Sequence, residues 1–447
     1  MEIQRSILTD LERWRDSRFR KPLVLQGARQ VGKSWVLKQF GTECFDHCLY
    51  VNFDTHPELK ADFVRTKDPA RLIKQLEMSF GQKVVPGKTL IVLDEIQECN
   101  EALNSLKYFC EDCPEVPVVC AGSLLGVALN RSEASFPVGK VDFMTMYPVS
   151  FLEFVTALYP HLSAPLMGVD LQNPVPELIH SQLLDAYRVH LALGGMPEAV
   201  SRWGETMDWT VTDEVLRGVM LSYSLDFSKH IDHKDIPRVF QVWNTIQDQL
   251  ARENRKFRYG DIQTGARARE YEGAVEWLCL SGIVHRLNAV ETPRLPLSAY
   301  QKSGAFKLYL ADVGLLRSKF RLDATDSIRG NRLLTEFKGV LSENYVLQSL
   351  VRQWGTVPCF WTSGNTAEVE FLLQHGSSII PVEVKAGDNV KAKSLALYRK
   401  TYSPEVAVRF STKNIRRDND LWNLPLYLAD RLRELLDVSL DESSMLK

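Results

Sequence analysis

The sequence predicts an α/β fold whose first third is built on a buried parallel sheet. Three apolar segments, residues 23–25, 89–93 and 116–121, are typical of strands buried on both faces. The first ends in a glycine-rich turn that leads into a helical pattern, and the second ends in two adjacent carboxylates. Because the carboxyl ends of parallel strands lie along one edge of a sheet, we expect these segments to meet at one ligand crevice.

The glycine-rich turn has the spacing of a phosphate-binding loop, Gly27-x-x-x-x-Gly32-Lys33-Ser34. The two glycines allow a tight turn whose backbone N–H groups face phosphate oxygens, and the following helix directs its positive end at the same anion. Lys33 is predicted to bridge the β- and γ-phosphates of ATP, and the Ser34 hydroxyl to bind Mg²⁺. We expect the nucleotide to contact Gly27, Ala28, Arg29, Gln30, Val31, Gly32, Lys33, Ser34 and Trp35. The alternative is a turn that matches this spacing by chance.

Asp94 and Glu95 follow the second buried strand directly. At the carboxyl end of a parallel strand, Asp94 is placed to hold the hydration shell of Mg²⁺, and Glu95 to orient and polarise the attacking water. Two acidic residues that merely cap a strand are common in isolation, but the upstream phosphate-binding loop favours the catalytic interpretation.

The composition is typical of a soluble globular protein: 447 residues, 45% hydrophobic, 25% charged and a formal net charge of −2. Length alone suggests about three domains, and the charge argues against a binder of polyanions over its whole surface. No apolar run reaches membrane-spanning length, the first residues do not resemble a secretory signal, and the eight scattered cysteines suit a reducing cytoplasm. The Cys44-x-x-His47-Cys48 and Cys110-x-x-Cys113 clusters lack a well-spaced second half, so a zinc site is not expected.

The motifs together resemble a large prokaryotic family of AAA-type ATPases that carry a C-terminal domain of unknown function. The resemblance rests on the phosphate-binding loop, the segments 50–53, 93–97, 121–123 and 147–151, and the later blocks 194–197, 308–316 and 343–346. It implies an AAA-type P-loop core with a helical lid, a winged-helix middle domain, and ATP with Mg²⁺ as cofactors.

In ATPases of this type, a polar residue after a central strand senses the γ-phosphate or the attacking water, which would assign Ser123 to the site. A helix cap is the alternative for this serine. An arginine that completes a neighbouring subunit's site is expected nearby, with Arg131 and Lys140 as candidates. The family's arginine before the last core strand is replaced by Lys140, which cannot form the bidentate fork of a guanidinium.

The middle third of the chain is helical and basic, with Arg252, Arg255, Lys256 and Arg258 after an amphipathic helix. Two strand-like segments follow, at residues 283–287 and 305–310. A helical region and a two-stranded ribbon resemble a winged-helix domain, which can place a helix in the DNA major groove. Winged helices also serve as protein-contact modules, so DNA contact and protein contact both remain open.

The last third resembles a restriction-endonuclease-like core, with an acidic residue on one strand and Glu-x-Lys on the next. Period-two alternation puts Glu383 and Lys385 on one face of a strand, and Glu370 lies on the preceding strand. The resemblance implies that Glu370 and Glu383 bind Mg²⁺, that Lys385 positions the nucleophile, and that Glu343 on a preceding helix is an extra ligand. The alternative is a cross-strand surface ion pair in a domain that only binds.

We therefore expect residues 1–215 to form an AAA-type ATPase core with its lid, residues 216–322 a winged-helix-like domain, and residues 323–447 a restriction-endonuclease-like domain. The expected function is a cytoplasmic, Mg²⁺-dependent ATPase coupled to a DNA-binding module with nuclease chemistry, without a membrane partner. The competing hypothesis is a nucleotide-dependent switch whose inactive nuclease-like domain binds proteins. The oligomeric state stays open, since a monomer, a dimer and a hexamer all fit the sequence.

Overall fold

The computed structural model describes residues 1–123, 139–325, 335–364, 367–387 and 393–445. Contacts divide the chain into two compact units. The N-terminal unit comprises Arg5–Tyr147 together with Leu280–Ile283, and the C-terminal unit comprises Met1–Gln4, Pro148–Cys279 and Val284–Lys447. No helix in the described ranges has the length and apolar character that crossing a membrane requires.

The N-terminal unit is built around a parallel sheet, as the sequence predicts. Within the described residues its strands are β1 Leu23–Gln26, β2 His47–Asn52, β3 Thr89–Asp94, β4 Val118–Ala121 and β5 Asp142–Thr145, in the order β2-β3-β4-β1-β5. All neighbouring strands run parallel. Every residue of β3 is buried, which explains its uninterrupted run of apolar and β-branched side chains.

Helices accompany the strands of this sheet: α1 Ile7–Asp16, α2 Lys33–Cys44, α3 Lys60–Arg65, α4 Pro69–Phe80 and α5 Asn100–Asp112. The apolar faces of α3, α4 and α5 pack with the sheet residues into one core that includes Leu49, Phe63, Leu72, Leu93 and Leu106. Since β1 lies between β4 and β5, and β4 contacts β3, the ends of β1 and β3 are separated by a single strand. This order brings the two predicted motifs to the same edge of the sheet.

The helices of the C-terminal unit are α6 Phe151–Leu158, α7 Pro160–Met167, α8 Glu177–Leu193, α9 Pro197–Thr206, α10 Trp209–His230, α11 Ile236–Leu250, α12 Ala268–Leu280, α13 Val313–Lys319, α14 Thr335–Trp354, α15 Lys393–Tyr402 and α16 Leu432–Met445. The helices predicted to form the lid, at about residues 178–193 and from residue 196 past residue 202, correspond to α8 and α9. Gly194 lies between them, where the first helix ends. The contact division assigns them to the C-terminal unit, although the predicted boundary placed them in the first domain.

A mixed sheet runs through the C-terminal unit. In the described part of the chain it has the order β12-β13-β11-β10-β9-β8-β6-β7. Its strands are β6 Val284–Val290, β7 Gln301–Leu310, β8 Cys359–Thr362, β9 Glu368–His375, β10 Ser378–Val384, β11 Ala407–Ser411, β12 Arg416–Asp418 and β13 Leu421–Pro425. A core cluster on this sheet joins Val290, Trp361, Leu372 and Tyr398.

The two-stranded ribbon predicted as the wing of a winged helix belongs to this sheet. Strands β6 and β7 pair antiparallel, as a ribbon should, but β6 also pairs parallel with β8 through Ala289–Phe360 and Val290–Trp361. The sheet therefore continues across the expected boundary between residues 322 and 323. The ribbon is therefore not free-standing, since the second edge of β6 is hydrogen-bonded to β8, and the winged-helix domain stays a prediction.

Asp312 joins two sequence blocks that lie far apart in the chain. Its carboxylate accepts the N–H of Gly195 at 2.6 Å and the N–H of Leu315 at 3.1 Å, so it caps α13 and anchors the loop after α8. A Cβ on Gly194 would lie 2.2 Å from the Asp312 Oδ1 atom, which leaves room only for glycine. Burial raises the pKa of Asp312 to about 6.

We expect Asp312→Ala to lower the free energy of unfolding by about 2–5 kcal/mol, because two buried N–H groups lose their acceptor. Asp208→Ala is the matched control: Asp208 also caps a helix, through the N–H of Thr210 at 2.8 Å, but at an exposed position. The control should lose about 1 kcal/mol. Urea denaturation followed by circular dichroism measures both, and equal losses would contradict the anchoring role.

Candidate functional site

The predicted phosphate-binding loop connects β1 to α2 in the conformation that its glycines allow. Gly27 and Gly32 have φ of 146° and 95°, and Gln30 has a φ of 65°. A Cβ on Gly27 would lie 2.2 Å from the carbonyl oxygen of Met146, so no larger residue fits there. Gly32 precedes the first residue of α2, and no side chain caps this helix. The N–H groups of its first turn are therefore left for a ligand.

Lys33 is buried at the start of α2. Its ammonium group donates to the carbonyl oxygens of Gly27 at 2.9 Å and Ala28 at 2.8 Å. Burial lowers the pKa of Lys33 to about 8, although the charges of Glu95 and Asp94 act in the opposite direction. The Lys33 side chain therefore points back at carbonyl groups of the phosphate-binding loop. A bound anion, such as a phosphate group, would compensate the buried charge of its ammonium.

Asp94 and Ser34, 60 residues apart in sequence, meet in this site. The Ser34 hydroxyl donates to Asp94 Oδ2 at 2.6 Å, and the Glu95 N–H donates to Asp94 Oδ1 at 3.0 Å. The hydroxyl of Tyr50 donates to the same Oδ2 atom. Sequence reasoning assigned Ser34 and Asp94 but gave Tyr50 no role, although the segment 50–53 is one of those that carry the family resemblance.

Glu95 takes an unusual backbone conformation. Its φ of 51° is in the left-handed region, which non-glycine residues adopt only occasionally. Its Oε2 atom accepts a hydrogen bond from the side-chain amide of Gln97 at 2.5 Å. The structure therefore holds this carboxylate beside Asp94 through Gln97, a residue that sequence reasoning did not assign.

The other predicted residues of the loop differ in exposure. Ala28 and Val31 are buried, whereas Arg29, Gln30 and Trp35 are exposed, Trp35 at 42%. The segment Leu280–Ile283 also reaches this loop, since a Cβ on Gly282 would lie 3.3 Å from the Ala28 nitrogen. No motif in the sequence predicts that Gly282 lies close to the phosphate-binding loop.

The structure describes Ser123 and Lys140, but not Arg131, the other candidate for a residue that completes a neighbouring subunit's site. Ser123 is buried just beyond β4, the strand between β1 and β3, and its role as a sensor stays a prediction. Lys140 forms an ion pair with Glu111 at 2.9 Å within its own unit. Arg131 lies outside the described residues. The four clustered cysteines, Cys44, Cys48, Cys110 and Cys113, are free thiols.

A second group of charged side chains comes together in the C-terminal unit, and it contains the residues predicted for nuclease chemistry. Strands β9 and β10 pair antiparallel, with Phe371 opposite Val382, which brings Glu370 and Glu383 side by side. The Lys385 ammonium lies 2.5 Å from Glu383 Oε1 and 3.8 Å from Glu370 Oε1. We call these three residues and Glu343 the carboxylate–lysine cluster.

The surroundings in the carboxylate–lysine cluster raise the pKa values of Glu370 and Lys385. Burial, followed by the nearby charges of Glu383 and Glu343, holds the pKa of Glu370 well above its usual range. Burial alone would lower the pKa of Lys385, but Glu370 and Glu383 outweigh it and raise that pKa. The Oε2 atoms of Glu370 and Glu383 are buried and have no hydrogen-bond partner in the described part of the chain.

Glu343 is engaged by protein groups, in contrast to its predicted role as a free metal ligand. The Arg255 guanidinium forms an ion pair with its Oε1 atom, and the Tyr309 hydroxyl donates to Oε2 at 2.9 Å. Arg255 is one of the basic residues for which the sequence left DNA contact and protein contact open, and here it neutralises a buried carboxylate. The structure thus gives Glu343 the role of holding Arg255 in place, which no local pattern in the sequence indicates.

The fit of a metal ion to this cluster rests on two oxygens. Among the residues that the structure describes, no three or more His, Cys, Asp or Glu side chains are arranged to hold a metal ion. Two unpartnered carboxylate oxygens, those of Glu370 and Glu383, nevertheless suit Mg²⁺, which usually takes one or two carboxylates and completes its shell with water and substrate phosphates.

Comparison with known protein families covers most of the chain in three pieces. Residues 19–155 match a family described as AAA domain. Residues 184–326 and residues 338–428 match two domains of unknown function, DUF8612 and DUF4143. No curated protein matches the chain. The match of residues 19–155 agrees with the AAA-type resemblance in the sequence, whereas the restriction-endonuclease-like resemblance of the last third stays a prediction.

Several solved structures are similar to parts of the chain. The Aeropyrum pernix ORC2 protein with ADPNP and ADP is 11% identical, matched over 74% of this chain and 96% of its own, with a TM-score of 0.37. The Aeropyrum pernix ORC1 protein in complex with DNA is 15% identical over 75% and 95%, with a TM-score of 0.29. The Thermotoga maritima RuvB Holliday junction branch migration motor is 16% identical over 65% and 90%, with a TM-score of 0.29.

We expect the affinity for ADP to fall as the pH rises through about 8, the pKa of Lys33. The sign follows from the charge: above this pH the free protein holds Lys33 neutral, and binding a polyphosphate requires a proton to be taken up. The loss should approach about tenfold per pH unit. Fluorescence titration with a labelled ADP from about pH 7 to about pH 9.5 measures it.

Two variants control this measurement. Lys33→Arg stays charged throughout and should give a flat pH profile, whatever its absolute affinity. Lys74→Ala, at an exposed position of α4, should follow the unaltered protein. A pH-independent affinity of the unaltered protein would show that Lys33 is charged in the free state.

Proposed function

We propose that the N-terminal unit binds ATP with Mg²⁺ and hydrolyses it. The observation that carries this proposal is the contact between Ser34 and Asp94, which puts the phosphate-binding loop and the acidic end of β3 at hydrogen-bond distance. Lys33 and Glu95 flank this contact, one on each motif. Loop amides, a lysine, a hydroxyl and two carboxylates are the groups that phosphoryl transfer requires of a protein.

Each residue has a definable task in this proposal. The N–H groups of the loop and of the first turn of α2 bind the phosphates, and Lys33 turns from the carbonyl groups of Gly27 and Ala28 to the anion. Ser34 and Asp94 supply neutral and charged oxygens, the donor set that suits Mg²⁺. When bound, the cation neutralises charge on the β- and γ-phosphates. Glu95 accepts a proton from, and orients, the attacking water.

Glu95→Gln should lower kcat for ATP hydrolysis by about 10²–10⁴-fold, because the amide cannot accept the proton of the attacking water. Its affinity for ATP should stay close to that of the unaltered protein, since Glu95 does not contact the phosphate-binding loop through any hydrogen bond in the described residues. Phosphate release and nucleotide titration measure the two quantities.

Glu115→Gln changes an exposed carboxylate of the same unit and should leave both quantities unaltered. Hydrolysis by the Glu95→Gln variant at the rate of the unaltered protein would remove Glu95 from the mechanism. Failure of the unaltered protein to bind ATP or ADP in the presence of Mg²⁺ would remove the proposal as a whole.

We further propose, as a second candidate function, that the C-terminal unit acts on DNA. Two observations favour it. The carboxylate–lysine cluster brings Glu370, Glu383 and Lys385 together, with two carboxylate oxygens unpartnered in the described part of the chain. A cavity of about 620 Å³ beside β9 is lined by Arg252, Lys256, Arg258 and Glu368, among others, and its cations suit a phosphodiester backbone.

The competing function for this unit is a binding module without catalysis, in a nucleotide-dependent switch. Its support is the neutralisation of the cluster by protein groups: Arg255 pairs with Glu343, and Lys385 pairs with Glu383. A cluster that supplies its own cations has less need of a metal ion. The two functions differ in whether DNA is cut, and a salt-titrated binding assay with duplex, single-stranded and branched DNA tests for binding alone.

If the cluster is catalytic, Lys385→Ala should abolish DNA cleavage in the presence of Mg²⁺ or Mn²⁺, because the variant loses the cation next to the scissile phosphate. Lys33→Ala should still cleave, since the phosphate-binding loop belongs to the other unit. Lys400→Ala, an exposed lysine of α15, is the matched control. Cleavage by Lys385→Ala would remove Lys385 from the proposed reaction, and the absence of cleavage by the unaltered protein would favour the binding module.

A further inference from the structure

The geometry of the N-terminal sheet places Tyr50 on the same face as Asp94. Strand β2 pairs parallel with β3 so that Tyr50 lies opposite Val92, and Asn52 lies opposite Asp94. Side chains two residues apart on a strand share a face and are separated by about 6.6 Å along it. The phenol ring of Tyr50 is long enough to span this separation, and its hydroxyl reaches Asp94 Oδ2.

Helix α2 covers this face and holds both partners. Ser34 and Lys38 are one turn apart on α2 and therefore lie on the same side of the helix. Ser34 donates to Asp94 Oδ2 at 2.6 Å, while the Lys38 ammonium lies 4.5 Å from the centre of the Tyr50 ring. A cation over an aromatic ring attracts it and restricts its movement. Tyr50 is thus positioned by α2, not only by its own strand.

The hydroxyl groups of Ser34 and Tyr50 both donate to Asp94 Oδ2. We expect nucleotide binding to affect these two hydrogen bonds differently. Ser34 would leave Asp94 if its oxygen turned towards a divalent cation bound with the nucleotide. Tyr50 sits on β2, outside the phosphate-binding loop, and keeps its contact.

We propose that Tyr50 is a positioning residue for the divalent cation that accompanies the nucleotide. It acts through Asp94: its hydroxyl fixes the orientation of the carboxylate, so that Oδ2 faces the Ser34 oxygen both before and after the cation binds. The proposal rests on the proposed nucleotide-binding function. It assigns to β2 a part in cation affinity that the phosphate-binding loop and the end of β3 do not supply alone.

The test is Tyr50→Phe, which removes the hydroxyl and keeps the ring under Lys38. ADP affinity is measured by titration in EDTA and then at increasing Mg²⁺. Affinity in EDTA should equal that of the unaltered protein, which also shows that the variant is folded. The Mg²⁺ concentration that gives half of the maximal gain in affinity should rise about tenfold, the lower end of the effect of residues that orient metal ligands.

Tyr108→Phe is the matched control, because the Tyr108 hydroxyl of α5 makes no hydrogen bond in the described residues. It should behave as the unaltered protein in both titrations. An unchanged Mg²⁺ dependence in Tyr50→Phe would overturn the positioning role, and so would an equal loss of affinity with and without Mg²⁺. The absence of ADP binding by the unaltered protein is a separate outcome, which would overturn the proposed nucleotide-binding function itself.

Discussion

The carboxylate of Asp94 is the point on which the nucleotide site depends. It stands at the end of a strand with every residue buried, so its charge is largely removed from water and needs partners within the protein. Ser34, Tyr50 and the N–H of Glu95 supply them. These donors come from α2, from β2 and from the residue after β3. One buried charge therefore fixes how three elements of the N-terminal unit meet.

The two candidate sites handle buried carboxylates differently. In the N-terminal unit, Asp94 is satisfied by neutral donors, and the nearest cation, Lys33, turns away to backbone carbonyl groups. This site keeps a negative charge for a cation and a positive charge for an anion. In the C-terminal unit, Arg255 and Lys385 neutralise Glu343 and Glu383 directly. The C-terminal cluster thus supplies its own cations, whereas among the described residues Asp94 has neutral partners only.

The ribbon of β6 and β7 shows why a correct local prediction of two paired strands does not fix how a sheet continues. The antiparallel pairing of these strands follows from their alternation and their closeness in the chain. The pairing of β6 with β8 joins residues about 70 positions apart through backbone hydrogen bonds, which any sequence can make. Nothing in the side chains of the ribbon distinguishes a free wing from an edge that continues a sheet.

The sequence by itself determined the phosphate-binding loop, the buried strand before Asp94 and the meeting of Glu370, Glu383 and Lys385. In each case a local pattern carries the information: glycine spacing, an unbroken apolar run, or period-two alternation. Only the tertiary structure decided three contacts: the hydrogen bond from Tyr50 to Asp94, the ion pair between Arg255 and Glu343, and the hydrogen bond from the Gly195 N–H to Asp312. The two hydrogen bonds join residues 44 and 117 positions apart in the chain. Such contacts depend on strand order and helix packing, which no local periodicity encodes.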